Sequence, residues 1–203
     1  MIKKGIQRLV KRKNLTSEET AQIMKEIMSG ETTPAQISAF LTALRMKGET
    51  IGEVTSLIQV MRQFATKIKP KVTGRILDIV GTGGDKIKTV NVSTTAAIVS
   101  AGAGATVAKH GNRSFTSKCG AADILERFGV NITADPSLIE KSIETVGIGF
   151  LFAPIYHPAM KHVVDPRREI GARTVFNILG PLTNPAAADA MLVGVYDPAL
   201  VEP

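Results

Sequence analysis

The chain is 203 residues long, 44% hydrophobic and formally +7 at pH 7, with one cysteine. That length buries a sizeable core, as one large domain or a domain with an appendage. No apolar run reaches the length of a membrane span, the N-terminus lacks the apolar core of a secretory signal, and Cys119 alone excludes an internal disulfide framework, so the sequence reads as a soluble, cytoplasmic protein.

The charge excess, 25 basic against 18 acidic residues, is local. Lys3, Lys4, Arg8, Lys11, Arg12 and Lys13 lie in a stretch, 1–14, that holds no acid, and the remaining chain carries only +1. A first helix that turns Ile6, Leu9 and Val10 inward and leaves the lysines solvated accounts for this, with a nucleic-acid patch as the alternative. Three helices follow with clear punctuation. Thr16 precedes Glu19 by three residues, Thr33 precedes Gln36 and Thr50 precedes Glu53, the capping-box spacing at three successive starts. Pro34 suits a first helical position, and Gly30 and Gly48 suit helix ends. Ile37, Phe40, Leu41 and Leu44 share one helical face, as do Ile51, Val54, Leu57, Ile58 and Met61.

Pro70 marks the expected hinge, with Lys69 at or beyond a helix end. Residues 1–70 read as a small helical subdomain and 71–203 as an α/β domain. Short apolar or β-branched runs, Arg75 to Val80, Ala105 to Ala108, Val130 to Ile132, Ile148 to Phe152 and Ala190 to Tyr196, alternate with helical stretches. That alternation predicts a mainly parallel sheet flanked by helices.

Three segments are expected at the carboxyl edge of that sheet, where ligands of open α/β folds collect. The first is Gly81-Thr-Gly-Gly-Asp85, whose glycines let backbone N–H groups approach a phosphate closely, with Asp85 ordering the turn or a metal-bound water. The second is Asn91-Val-Ser-Thr94, opening a small-residue helix over 95–102 whose N-terminus attracts anions, although plain capping explains it too. The third is Lys109-His-Gly-Asn-Arg113, a fixed cation and amide for diphosphate or ribose oxygens, or else a basic surface turn. His110 reads as structural rather than as a general base. Arg167 could pair a carboxylate, with Arg168 beside it as a competitor and an exposed helical arginine as the plain alternative. His157 and His162 lack the spacing of a zinc pair, and no zinc is expected. The proline-bounded run Asn177 to Pro185 reads as a rigid connector.

Together and in this order, these motifs resemble the anthranilate phosphoribosyltransferases of tryptophan biosynthesis, and the resemblance spans the chain. It implies a helical domain joined to an α/β domain, phosphoribosyl pyrophosphate held with Mg2+, and a homodimer formed through the helical part. It assigns the phosphoribosyl donor to Gly81, Gly84, Asp85, Thr89, Asn91, Val92, Ser93, Thr94, Lys109, His110, Gly111, Asn112, Arg113, Ser114, Phe115, Thr116, Ser117 and Ala121, the last standing where the family often has serine. A backbone contact could survive at Ala121 but a hydroxyl contact could not. Anthranilate is assigned to Gly81, Asn112 and Arg167, and magnesium to Ser93. The implied reaction displaces pyrophosphate from the ribose anomeric carbon by an aromatic amine, which is unprotonated at neutral pH and needs no strong base, so no side chain is expected to be catalytic in the acid–base sense. The family chain continues past Pro203 with further strands and an Asp-Glu pair for a second magnesium, and turnover by these 203 residues alone is not expected. Two other readings stay open: a pyrimidine nucleoside phosphorylase with the same architecture, and a non-enzymatic nucleic-acid-binding relative. Membrane association is not expected.

Overall fold

The computed structural model describes residues 1–83, 90–114 and 119–202, which form two compact units. The first comprises residues 1–65 and 157–183, the second 66–156 and 184–203. This differs from a single division at Pro70, because 157–183 returns to the helices.

The helical unit begins with α1 (Ile2–Val10), α2 (Ser17–Met28), α3 (Pro34–Lys47) and α4 (Ile51–Phe64). All three capping boxes form: the hydroxyls of Thr16, Thr33 and Thr50 accept from the N–H of Glu19, Gln36 and Glu53, whose side chains reach back to the threonine amides. Gly30 and Gly48 take positive φ, 76° and 88°, just past α2 and α3. Leu9, Ile23, Ile27, Ile37, Phe40, Leu44, Leu57 and Val60 make one core. Two expected inward residues point outward. Val10, the last residue of α1, is exposed because Ile2, Gly5 and Leu9 carry the buried face; Ile51, in the first turn of α4, is exposed while Val60 enters the core instead. Thr33→Ala should lower stability by about 1 kcal/mol, since it removes one hydroxyl acceptor from an exposed cap; a fall in the thermal midpoint of α3-linked unfolding checks it, and an unchanged midpoint would remove the cap from the stability account.

In the second unit, β1 (Ile76–Gly81), α5 (Val92–Gly102), β2 (Thr106–Gly111), α6 (Ala121–Arg127), α7 (Pro136–Val146), β3 (Ile148–Phe152), α8 (Ala153–Tyr156) and, after the excursion into the helical unit, β4 (Ala190–Gly194) build a four-stranded sheet in the order β3-β2-β1-β4. Every pairing is parallel. The excursion itself carries α9 (Lys161–Ile170) and α10 (Phe176–Leu179), whose Val163, Phe176 and Leu179 join the helical core. No helix among the described residues is long and apolar enough to cross a membrane.

The expected strand at Val130–Ile132 does not form. Asn131 instead makes an Asx turn, its Oδ1 accepting from the N–H and hydroxyl of Thr133, and only Ile132 is buried, against Ala122, Leu125, Phe150 and Phe152. β2 runs three residues further than expected, to Gly111, which puts Lys109 and His110 inside the sheet. The stretch 177–185 is shared: through Thr183 it packs with the helices, where Leu182 O accepts from Arg62 Nε, and from Asn184 it packs with the sheet, where Asn184 Nδ2 donates to Ala108 O.

Candidate functional site

Because β1, β2 and β4 are parallel neighbours, their carboxyl ends come to one edge. Gly81 and Gly194 lie opposite each other in the register, and Thr82 N donates to Gly194 O at 2.9 Å. The Thr82 hydroxyl accepts from Tyr196 N, which pins the first residue of the turn. Gly83 follows with φ at 66°, a conformation that other residues rarely adopt. Gly84, Asp85 and Thr89 lie outside the described residues, as do Phe115, Thr116 and Ser117.

The helix α5 starts at Val92, three residues earlier than expected, which makes Ser93 and Thr94 part of its first turn. A Cβ built on Gly81 would stand 3.8 Å from Ser93 Oγ, so the glycine turn and this hydroxyl are neighbours. Thr94 is buried. Asn91, at the N-cap, does not cap with its side chain; its Nδ2 donates to Cys119 O at 3.3 Å and Gly120 O at 3.0 Å, tying the start of α5 to the start of α6.

Beyond β2 the picture departs from a free basic turn. Lys109 is buried, and its Nζ donates to Ile79 O at 2.6 Å. His110 is buried, with its backbone N–H given to Asp78 Oδ1. Asp78 has no exposed surface, and burial pushes its carboxyl up to about 6 despite the nearby Asn184 amide, the His110 N–H and the Lys109 charge; the amide's hydrogen bond goes to Ala108 O. Burial likewise lowers the Lys109 pKa, against the pull of Asp78. Gly111 sits too close to Phe150 for a Cβ. Asn112 and Arg113 are exposed at the edge. The Arg113 guanidinium is held by Asp123 at 2.9 Å and by Glu126 at 2.8 Å and stands 5.8 Å from the Phe152 ring centre, so its charge is already paired. Ser114 N donates to Asp123 Oδ2, and Ala121 opens α6.

Arg167 belongs to the helical unit. It lies on α9, half-buried, with its guanidinium 5.4 Å from the Phe176 ring centre, and desolvation lowers its pKa. His157 is buried in the same unit, and burial lowers its pKa to about 4. Among the described residues no group of three or more His, Cys, Asp or Glu side chains could hold a metal ion by itself.

Asp78, Asp123 and Gly120 were not singled out from sequence. The spacing of Gly120 and Asp123, an acid three residues after a helix start, is the signal that could have found two of them.

Residues 73–203 match the family model described as "Glycosyl transferase family, a/b domain", and residues 3–65 match its partner, the helical bundle domain. The chain belongs to this glycosyl transferase family. Among its relatives, anthranilate phosphoribosyltransferase of Pelobacter propionicus is 55% identical over the whole chain, and that of Dehalococcoides mccartyi is 58% identical over 96% of it. The crystal structure of anthranilate phosphoribosyltransferase from Thermus thermophilus superimposes with a TM-score of 0.92 at 44% identity, covering 98% of this chain and 60% of that one. The Saccharomyces cerevisiae enzyme in complex with PRPP and Mg superimposes at 0.89 with 31% identity, covering 98% and 59%. The chain therefore spans about 60% of the length of the relatives it matches.

Proposed function

We propose that this chain provides the donor-binding part of an anthranilate phosphoribosyltransferase, which transfers the phosphoribosyl group of phosphoribosyl pyrophosphate to the amine of anthranilate in tryptophan biosynthesis. The observation that carries the reading is the convergence of the Gly81–Gly83 turn and the Ser93 hydroxyl at the first turn of α5. Backbone N–H groups there suit the diphosphate, with Val92 and Thr94 shaping the helix start. Asn112, exposed at the same edge, is proposed to reach both substrates. Arg113 and Ser114 are proposed to shape the donor site rather than to hold its phosphates, since the Arg113 charge is engaged by Asp123 and Glu126 and the backbone N–H groups of Arg113 and Ser114 are given to Asn112 Oδ1 and Asp123 Oδ2. Lys109 contributes its field from beneath the edge rather than by contact. Arg167 is proposed for the anthranilate carboxylate.

Ser93 offers a hard oxygen donor, and magnesium is held typically by few protein oxygens together with substrate phosphates and water, so the residues fit that ion when it arrives with the donor. Bound there, magnesium would offset the negative charge gathering on the departing pyrophosphate. The chain's own part is to orient the diphosphate and keep the anomeric carbon open to the amine. Location in the cytoplasm and pairing through the helical unit belong to the same proposal.

Calorimetric titration with phosphoribosyl pyrophosphate should show binding that requires magnesium, and Ser93→Ala should raise the magnesium concentration needed by about tenfold, on the order of 1.4 kcal/mol. An unchanged magnesium titration would remove Ser93 as the ligand. Phosphate-dependent release of a base from a pyrimidine nucleoside would overturn the transferase reading in favour of the phosphorylase.

A further inference from the structure

We infer that Asp123 is a positioning residue of the donor site, whose carboxylate fastens the backbone after β2 to the start of α6 and, through Gly120 and Asn91, to the start of α5. Asp123 Oδ2 accepts from Gly120 N at 2.7 Å and Ser114 N at 3.1 Å, while Oδ1 accepts from Arg113 at 2.9 Å. One carboxylate thus gathers three donors. An acid at the third position of a helix ordinarily reaches back to a single amide. The second amide, from a residue nine positions earlier, goes beyond that local role.

Gly120 makes the junction possible. A Cβ there would stand 2.3 Å from Ser114 N and 2.7 Å from Arg113 C, both backbone atoms that cannot step aside alone. The carbonyls of Cys119 and Gly120 then accept from Asn91 Nδ2, and Asn91 O accepts from Thr94 N and Thr95 N. A continuous chain of hydrogen bonds runs from α6 through Gly120 to the turn that carries Ser93. Negative charge beside an anion site would repel the ligand if it were free. Here it is engaged by two amides and by Arg113, which it shares with Glu126, and those donors, Gly120 N–H foremost, hold the carboxyl below its ordinary range. The role is therefore geometric, acting on the edge that the proposed function assigns to the phosphoribosyl donor, and it rests on that reading.

Asp123→Asn, with one oxygen replaced by a donor, should raise the calorimetric Kd for phosphoribosyl pyrophosphate at saturating magnesium about tenfold, with little change in thermal midpoint. Gly120→Ala, which keeps the carboxylate but forces the backbone apart, should raise that Kd as well. Glu126→Gln, which touches Arg113 but neither amide, should change Kd by less than about twofold. A wild-type Kd in both Asp123→Asn and Gly120→Ala overturns the inference, as does a Kd loss in Glu126→Gln equal to that in Asp123→Asn. Independently of any ligand, the backbone amide resonances of Ser114 and Gly120 in the unmodified chain should shift with one shared midpoint as acid protonates Asp123. Separate midpoints, or no shift, overturn the clamp. If the unmodified chain binds no phosphoribosyl pyrophosphate, the proposed function falls while the amide titration still decides the clamp; if Asp123→Asn does not fold, Gly120→Ala and that titration decide it.

Discussion

Glu53→Ala is expected to destabilise the helical unit by about 3–5 kcal/mol, the cost typical of removing one member of a buried ion pair. Glu53 is 1% exposed, and the Lys47 side chain that meets it at 2.6 Å is 3% exposed. The same carboxylate accepts from Leu15 N at 2.9 Å, from Thr50 N at 2.8 Å and from the Thr50 hydroxyl at 3.0 Å. It therefore caps α4, anchors the turn between α1 and α2, and neutralises the end of α3. Alanine would leave the Lys47 ammonium with only the Asn14 amide oxygen, at 3.0 Å, and at least one amide buried without its partner. Burial raises the Glu53 pKa, but the Leu15 N–H, Lys47 and Thr50 outweigh it, so the folded value lies below the ordinary 4.5. A depressed acid stabilises the fold above its unfolded pKa and loses that contribution as pH falls through the folded one. Urea unfolding of the variant at pH 7 should show the full loss, and the gap to the unmodified chain should narrow as pH falls below the ordinary 4.5 and through the lowered folded value. A loss under about 1 kcal/mol at pH 7 would show that the buried carboxylate contributes no more than a surface pair.

Glu53 also shows what the sequence could and could not reveal. Its capping box with Thr50 was legible because donor and acceptor lie three residues apart, and the same holds for Thr16 and Thr33. Its bond to Leu15, across 38 residues, was not. At the site, the turn at Gly81–Gly83 after β1 was legible because glycines directly after an apolar run read as a turn leaving a strand, although that alone does not tell a phosphate loop from an ordinary turn. Lys109 was expected beyond the strand end as a cation for diphosphate or ribose oxygens, yet β2 continues through it and His110, because Asp78 and Ile79 O on the neighbouring strand receive them. Arg113 looked like a free cation, and its carboxylates come from α6, ten and thirteen residues on. Val130–Ile132 matched a strand by residue type, but Asn131 turns the backbone by accepting from the N–H and hydroxyl of Thr133, and Pro136 opens α7 soon after. The return of 157–183 to the helical unit depends on Val163, Phe176 and Leu179 finding a core made by residues a hundred positions earlier, a contact no local pattern encodes.

The buried pair under the candidate site leads to the second large effect. Lys109→Met should destabilise the α/β unit by about 3 kcal/mol at pH 7.5, because it strips Asp78 of its nearest opposing charge and Ile79 O of its donor. The loss should depend on pH in a set direction. With Lys109 present, burial already holds the Asp78 pKa at about 6, above its unfolded value near 3.8. A raised acid favours the fold most below the unfolded pKa and loses that contribution as pH rises through the folded one. Without Lys109 the folded pKa moves higher still, since Coulomb attraction to the ammonium is one of the effects holding it down. Stability of the variant should then recover as pH falls from 7.5 to 5, where Asp78 takes up a proton, leaving on the order of 1 kcal/mol for the missing hydrogen bond to Ile79 O. Adding Asp78→Asn to Lys109→Met should recover most of the pH 7.5 loss, because an amide keeps an acceptor for His110 N–H without a charge to bury. Denaturant unfolding of the three chains at pH 5 and pH 7.5 decides the matter. A deficit in Lys109→Met that is equal at both pH values, or a double variant no better than the single one, would mean that Lys109 supports the sheet edge by packing and not by holding the charge of Asp78.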